Sequence, residues 1–204
     1  LVIDTATPML SVALFEESIL LARHHELVGR GHAEKLMPAV AALPGGGRAD
    51  HIAVDVGPGS FTGVRIGLAA ARALAFAWNV PLSGYSATAS IAAGARARSE
   101  APETVAVAIT GGHGEIFWQC FAGNGLSALG PLESVPIAAL AAREKYPIIY
   151  GSGAEALVTA RHYGTAVSLH PDSADYPVLR GLAPLPPTPL YGRGADAKPM
   201  ASAT

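Results

Sequence analysis

Seven consecutive residues, Gly57-Pro58-Gly59-Ser60-Phe61-Thr62-Gly63, carry the clearest chemical signal in this chain. A glycine-rich turn between a strand and a helix can wrap a phosphate with backbone N–H groups at the positive end of the helix dipole. A complete phosphate loop adds a Lys that reaches the terminal phosphates and a Ser or Thr for magnesium. Here Gly63 is followed by Val64-Arg65. The same stretch also reads as a tight turn, with glycine supplying unusual backbone angles and Ser60 or Thr62 capping the helix. Asp4 ends the first apolar run, a position from which an acid can handle magnesium or phosphate, but the turn after it holds Ala6 and Pro8 rather than glycine. Pro8 has no N–H to offer an anion. In the second half, Thr110-Gly111-Gly112-His113 has glycines without an acid, and Gly151-Ser152-Gly153 suits an anion site or an ordinary turn. The nucleotide-binding apparatus therefore reads as incomplete.

Seven histidines raise the question of a metal. His24 and His25 are neighbours on an expected strand, so their side chains point to opposite faces. His32 has Leu36 one helical turn later, and no HExxH pair occurs. Structural sites need three or four ligands, and the remaining histidines are isolated in sequence. No metal or cofactor is expected. Arg65, in the first turn of a helix, opposes the macrodipole. It is either solvated or paired with an acid on a partner.

The elements that position these residues follow from apolar spacing. Residues 1–6, 10–15 and 18–25 read as an antiparallel meander. His32 to Leu43 carries apolar residues at 33, 36, 37, 40 and 43, which is helical spacing ended by Gly45-Gly46-Gly47. A strand over 50–56, the glycine loop, a helix over 64–78, a strand over 81–85 and a helix over 86–98 follow. The pattern then restarts, with strands over 104–109, 115–122 and 125–129, a helix over 136–143, a strand over 147–150, a helix over 153–162 and a strand over 166–170. This predicts an α/β fold of two ribonuclease-H-like lobes with mixed sheets, residues 1–100 and 101–170. The tail, 171–204, has seven prolines and is expected to be neither regular helix nor central strand. On the second helix Gly63, Gly67, Ala70, Ala71 and Leu74 share one face. Small residues so spaced either pack in the core or admit a partner helix, with the first helix alongside through Leu36, Val40 and Leu43.

Half of the residues are hydrophobic and 15% are charged, against about 25% charged in a typical domain. Such a chain must hide much of its surface in a core or against a partner. The net charge of −2 argues against autonomous binding of nucleic acid, which needs a basic face. One cysteine, Cys120, excludes an intrachain disulfide and a Cys-based zinc site, which fits a reducing cytoplasm. Leu1-Val2-Ile3-Asp4 already reads as a strand with no charged leader before it, and the missing initiator Met implies a few preceding residues. The Ala-rich run 66–78 contains Arg72 and is too short to span a bilayer.

Several motifs together resemble the TsaB (YeaZ) family: Ile3-Asp4-Thr5-Ala6-Thr7, Ser11-Val12-Ala13-Leu14, His32-Ala33-Glu34-Lys35-Leu36-Met37-Pro38 and, above all, the glycine loop continued by Val64-Arg65-Ile66-Gly67. Gly114-Glu115-Ile116-Phe117-Trp118 and Pro189-Leu190-Tyr191-Gly192-Arg193 fit more loosely. The resemblance implies an actin-like ASKHA fold and a non-catalytic subunit. Its implied partners are TsaD, the catalytic paralogue that holds metal and nucleotide, and TsaE, with tRNA met only through the complex that makes N6-threonylcarbamoyladenosine beside the anticodon. It implies a TsaD-facing surface on the first two helices. Within these, spacing selects His32, Leu36, Val40, Leu43, Arg65, Gly67, Ala70, Ala71 and Leu74, a face that could also form a homodimer. The His pair that supplies TsaD's metal is lacking in the family and here. Where the family commonly has Asp-Ala-Arg, this chain has Thr110-Gly111-Gly112. The competing readings are an ASKHA-type ATP-binding kinase or ATPase built on Asp4 and the glycine loops, and a glycoprotease, an old family label for which no Ser–His pairing or zinc motif is visible.

Overall fold

In the computed structural model, which describes residues 1–98, 103–123 and 126–191, the first two strands are apolar and buried on both faces, and the third forms the more exposed edge. Strands β1 (Val2–Asp4), β2 (Met9–Glu16) and β3 (Ile19–Leu27) make the meander. Helix α1 (His32–Ala41) leads to β4 (Ile52–Asp55), helix α2 (Phe61–Trp78) to β5 (Leu82–Tyr85), and α3 (Ala87–Arg98) follows. The sheet order is β3-β2-β1-β4-β5, with β1, β4 and β5 parallel. The second sheet uses β6 (Thr104–Thr110), β7 (Glu115–Ala122), β8 (Glu133–Pro136), β9 (Ile148–Tyr150) and β10 (Thr165–Val167), with α4 (Ile137–Arg143) and α5 (Ala154–Arg161) in the crossovers. Its order, read from its meander edge, is β8-β7-β6-β9-β10. The second sheet thus repeats the first strand for strand, giving the mixed, ribonuclease-H-like arrangement twice.

The layers follow from the alternation of side chains across the strands. Ile3, Val12 and Val54 share the face that receives α2. Asp4, Ser11, Asp55 and Tyr85 share the other face, covered by α3 and a 3-10 segment over Ser173–Gly181. Helix α3 also packs on β6, β7 and β9, so one continuous apolar core runs between the two sheets. A smaller cluster with Leu140, Leu157 and Trp118 lies beneath α4 and α5.

Two expectations change. The third strand of the second meander is Glu133–Pro136, not 125–129. Leu126 adopts a positive φ of 53° and buries its side chain, leaving only an isolated bridge at Ala128. Val135, with Ile116 as its register partner, is the apolar residue that the meander needed. Helix α2 starts at Phe61 rather than Val64, because the Ser60 hydroxyl accepts the Gly63 N–H at 3.2 Å and caps it.

The proline-rich segment straps the first sheet. Asp172 meets Arg23 at 2.7 Å, Ser173 donates from its N–H and its hydroxyl to Ser11 Oγ and Ser11 O, Gly84 and Leu185 exchange two hydrogen bonds, and Leu190 N–H donates to Val56 O at 2.7 Å. Prolines 177, 184, 186, 187 and 189 lie within this strap, which pairs with the β5 edge at one bridge only. Gly125, Gly192, Arg193, Pro199 and the expected lobe boundary near residue 100 lie outside the described residues.

The glycine loop touches the turn after β1 backbone to backbone. A Cβ on Gly59 would stand 2.0 Å from Ala6 O, and one on Gly63 would stand 2.1 Å from Thr5 O. Gly59→Ala and Gly63→Ala should each cost about 3 kcal/mol or more, at or beyond the upper end of ordinary overpacking because backbone atoms cannot swing aside. Gly130→Ala, with nothing within 4 Å, is the neutral control. Urea denaturation of the three variants checks this.

Candidate functional site

The strand ends at the first sheet's carboxyl edge hold the residues singled out for chemistry, and the structure closes them. Asp4 is 1% exposed and accepts the Ala6 N–H at 3.0 Å. The loop that would have cradled phosphate is filled by the chain itself. Ser60 N–H donates to Ala6 O at 2.7 Å, and Thr5 Oγ1 donates to Gly63 O at 2.7 Å. These glycines admit protein backbone, not a ligand. Asp55, also 1% exposed, sits beside Asp4 and accepts the Gly57 N–H at 2.6 Å. Burial raises the pKa of Asp4, against the opposing hydrogen bond from Asp55. Burial and the charge of Asp4 push Asp55 well above the carboxylate range. Sequence reading passed over Asp55. The signal was an acid closing the apolar strand Ile52–Asp55, next to a strand that also ends in Asp.

In the second sheet, Thr110 N–H donates to Ser152 Oγ at 3.1 Å and Gly111 N–H to Glu115 O at 2.8 Å, so Thr110-Gly111-Gly112 forms the β6–β7 hairpin turn. Gly153 N–H donates to Ala108 O at 2.9 Å. Both turns bind neighbouring backbone.

A cavity of about 570 Å³ lies between the lobes, with Tyr85, Phe121, Tyr176, Leu182 and Leu185 in its apolar wall. Its polar side chains are engaged elsewhere. Gln119 accepts from Thr88 and donates to Gly130 O, Arg180 holds Ser18 and Glu17 O, and His51 bonds Ser83. Among the described residues, no group of three or more His, Cys, Asp or Glu could hold a metal ion, and no helix is long and apolar enough to cross a membrane. His24 faces Glu26, His25 lies 3.7 Å from Asp172, and His32 donates from Nε2 to Met9 O at 3.3 Å.

The expected interface residues divide sharply. His32, Leu36, Val40, Leu43, Gly67 and Ala71 are buried inside this chain. Ala70 and Leu74 are half-buried, and Arg65 is exposed. The small-residue stripe exists so that α2 can approach its own sheet: a Cβ on Gly67 would lie 2.4 Å from Thr5 Oγ1 and 3.6 Å from Val54. The six buried residues thus pack within the folded chain and leave little of their own surface open to a partner.

What α2 leaves outward is a different stripe. Phe61, Arg65, Ala69, Arg72 and Phe76 are exposed and recur every three or four residues, hence on one face. Phe61 is 60% and Phe76 89% exposed, with Met37 of α1 also exposed. The Arg65 guanidinium lies 3.2 Å from the Phe61 ring centroid and donates to the Tyr191 hydroxyl at 2.9 Å, and the Phe61 and Tyr191 rings stack at 5.9 Å. Arg72 donates to Pro187 O at 2.7 Å. Arg65 is exposed, and it clamps the strap to α2.

Comparison with known proteins adds to this geometry. The family model described as TsaD, tRNA N6-adenosine threonylcarbamoyltransferase, matches residues 24–125. The tRNA threonylcarbamoyladenosine biosynthesis protein TsaB of Escherichia coli is 39% identical over 123 residues, 58% of this chain and 52% of that protein. The Bacillus subtilis protein of the same name is 36% identical over 101 residues, 47% of this chain and 44% of that protein. The chain thus matches about half the length of these two relatives. The solved structure of YeaZ from Pseudomonas aeruginosa superposes with a TM-score of 0.79 at 30% identity, covering 93% of this chain and 97% of that one.

The burial pattern makes a paired prediction. Ala71→Leu should cost about 1–3 kcal/mol as an overpacked core, lowering the melting temperature directly. Ala69→Leu, on the exposed face, should leave melting within about 0.5 kcal/mol of the parent. Thermal unfolding of the two variants side by side checks it.

Proposed function

The chain belongs to the TsaB (YeaZ) family, within the TsaD domain family that residues 24–125 match, and from that premise we propose that it is a non-catalytic partner subunit of a TsaD-containing complex. The complex forms N6-threonylcarbamoyladenosine next to the anticodon of tRNAs, with TsaE as a further component. The observation that carries this reading is the filled glycine loop. The chain's own Thr5 and Ala6 occupy the space where phosphate would lie, Asp4 is sealed below, and position 110 holds Thr rather than an acid. Without a cradle or an accessible acid, the nucleotide and metal chemistry falls to TsaD.

The TsaD-facing surface that we propose is the outer stripe of α2, Phe61, Arg65, Ala69, Arg72 and Phe76, with Met37 of α1 beside it. Its composition supports this. Interface hot spots favour aromatic residues and Arg in a patch that excludes water, and the Arg65 clamp holds two aromatic rings in one arrangement. Ala70 and Leu74 lie at its margin, while Gly67, Ala71 and the apolar residues of α1 support it from beneath. The match to the TsaD family supports a paralogous partner offering a similar helix pair, and a second copy of this chain would do so when TsaD is missing. With a net charge of −2, the chain meets tRNA only through the complex.

Phe76→Glu should weaken binding to the TsaD of the same cell by about 30-fold, a hot-spot loss near 2 kcal/mol, with melting unchanged. Calorimetric titration of the isolated chain with ATP and magnesium should show no saturable heat. Tight magnesium-dependent binding, with multiple turnovers lost in Asp4→Ala, would instead support an ASKHA-type ATPase or kinase.

A further inference from the structure

Two acids that the proposed function leaves unused lie side by side in the core. Strands β1 and β4 are parallel neighbours with Val2 opposite Ala53 and Ile3 opposite Val54. The next step along both strands brings Asp4 beside Asp55. Their side chains point to the sheet face covered by α3 and the Ser173–Gly181 segment, and each is 1% exposed. Each uses Oδ1 for one backbone donor, Ala6 N–H at 3.0 Å for Asp4 and Gly57 N–H at 2.6 Å for Asp55. Each Oδ2 is buried and has no partner unless the two carboxyls bond each other.

Two ionised carboxylates cannot sit in contact in a dry interior without a large electrostatic penalty. Two orphaned oxygens also cost the full desolvation of each. A proton on one Oδ2 removes both problems, because that oxygen then donates and the other accepts. We propose that Asp4 and Asp55 share a single proton at neutral pH, and that this acid pair ties the start of α2 to the start of α3.

The tie is a continuous hydrogen-bond path. Ser60, the cap of α2, donates from its N–H to Ala6 O, and Ala6 N–H donates to Asp4. Asp4 and Asp55 share the proton. Gly57 N–H donates to Asp55, and Gly57 O accepts from Ala87 N–H at the start of α3. Burial, the largest effect on both acids, favours one retained proton over none. Tyr85 of β5 lies over it, donates its hydroxyl to Ile3 O at 3.2 Å, and is held neutral by burial and then by the two acids. On Asp4 burial outweighs the rest: the Ala6 amide and then His32 of α1 pull downward, each more than Asp172, ahead of the Ser173–Gly181 segment, pushes upward. On Asp55 the amides of Gly57 and Ala87 pull downward, against the larger effects of burial and Asp4.

The sign of the pH dependence follows. In the unfolded chain each Asp titrates near its ordinary value of about 3.9, while both folded values are raised. The folded state keeps a proton that the unfolded state has lost. The stabilisation is complete in acid and disappears as pH rises through the pair's raised value. Within that window one extra proton changes the unfolding constant about tenfold per pH unit.

The experiment compares stability against pH for the parent, Asp55→Asn, Asp4→Asn and the double variant, with carbon-13 NMR of the two aspartate carboxyls in the parent. In either single variant the Asn oxygen can accept the backbone N–H while its NH₂ donates to the remaining carboxylate, replacing the shared proton permanently. Both single variants should lose the decline that begins above about pH 3.9 and exceed the parent once pH is above the pair's raised value. The double variant, with two NH₂ groups facing each other, should fall below both. The NMR titration should show one proton on the pair at neutral pH. Two ionised carboxyls in the folded parent at neutral pH would overturn the proposal, as would single variants that keep the parent's pH profile.

Discussion

The structure depends on one close approach, between the glycine loop 57–63 and the turn that follows β1. Gly59 and Gly63 let that loop lie on the backbone of Ala6 and Thr5 at distances that no side chain would permit. The contact fixes where α2 begins, and the cap at Ser60 and the hydrogen bond from Thr5 to Gly63 O hold it there. Gly67 continues the approach one turn further, over the Thr5 side chain. With its inner face committed in this way, α2 turns Phe61, Arg65, Arg72 and Phe76 outward. The loop that resembles a phosphate site and the exposed aromatic face of α2 are therefore two sides of one packing decision.

The C-terminal strap belongs to the same arrangement. It is anchored at one end by Ser11 and Ser173, passes along the β5 edge at Gly84, and reaches the loop region where Leu190 bonds Val56. Its last described residue, Tyr191, meets Arg65 and Phe61 on α2. The outer face of α2 is thus assembled from residues more than a hundred positions apart. A cation over an aromatic ring, as Arg65 is over Phe61, is favourable even at a solvated site, by about 0.5–1 kcal/mol, enough to bias the strap's position without sealing the surface.

Much of this was legible in the sequence because the signals are local. Alternating apolar residues gave the two meanders, and 3.6-residue spacing gave the helices and hence the repeated lobe. The incomplete phosphate loop was equally visible in Val64-Arg65 and in Pro8. The side of α2 was not. Small residues at helical spacing mark close contact but not its partner, and here the partner is Thr5 and Val54 of the same chain. The setting of Arg65 was hidden for a related reason, since the Tyr191 hydroxyl to which it donates lies 126 positions away. The third strand of the second meander was misplaced because Leu126 and Leu129 look strand-like, yet Leu126 sits at a positive φ that ends regular pairing. Asp55 went unnoticed because parallel pairing with β1, a non-local fact, is what makes it a neighbour of Asp4.

In the proposed complex this chain presents the outer face of α2 to TsaD and leaves the chemistry to it. Hydrogen–deuterium exchange of the chain with and without TsaD tests this most directly. The account predicts slowed exchange across residues 32–41 and 61–78 and at the strap near residue 191, with α4 and α5 unchanged. Protection confined to residues 137–161, with α2 exchanging as in the free chain, would contradict it.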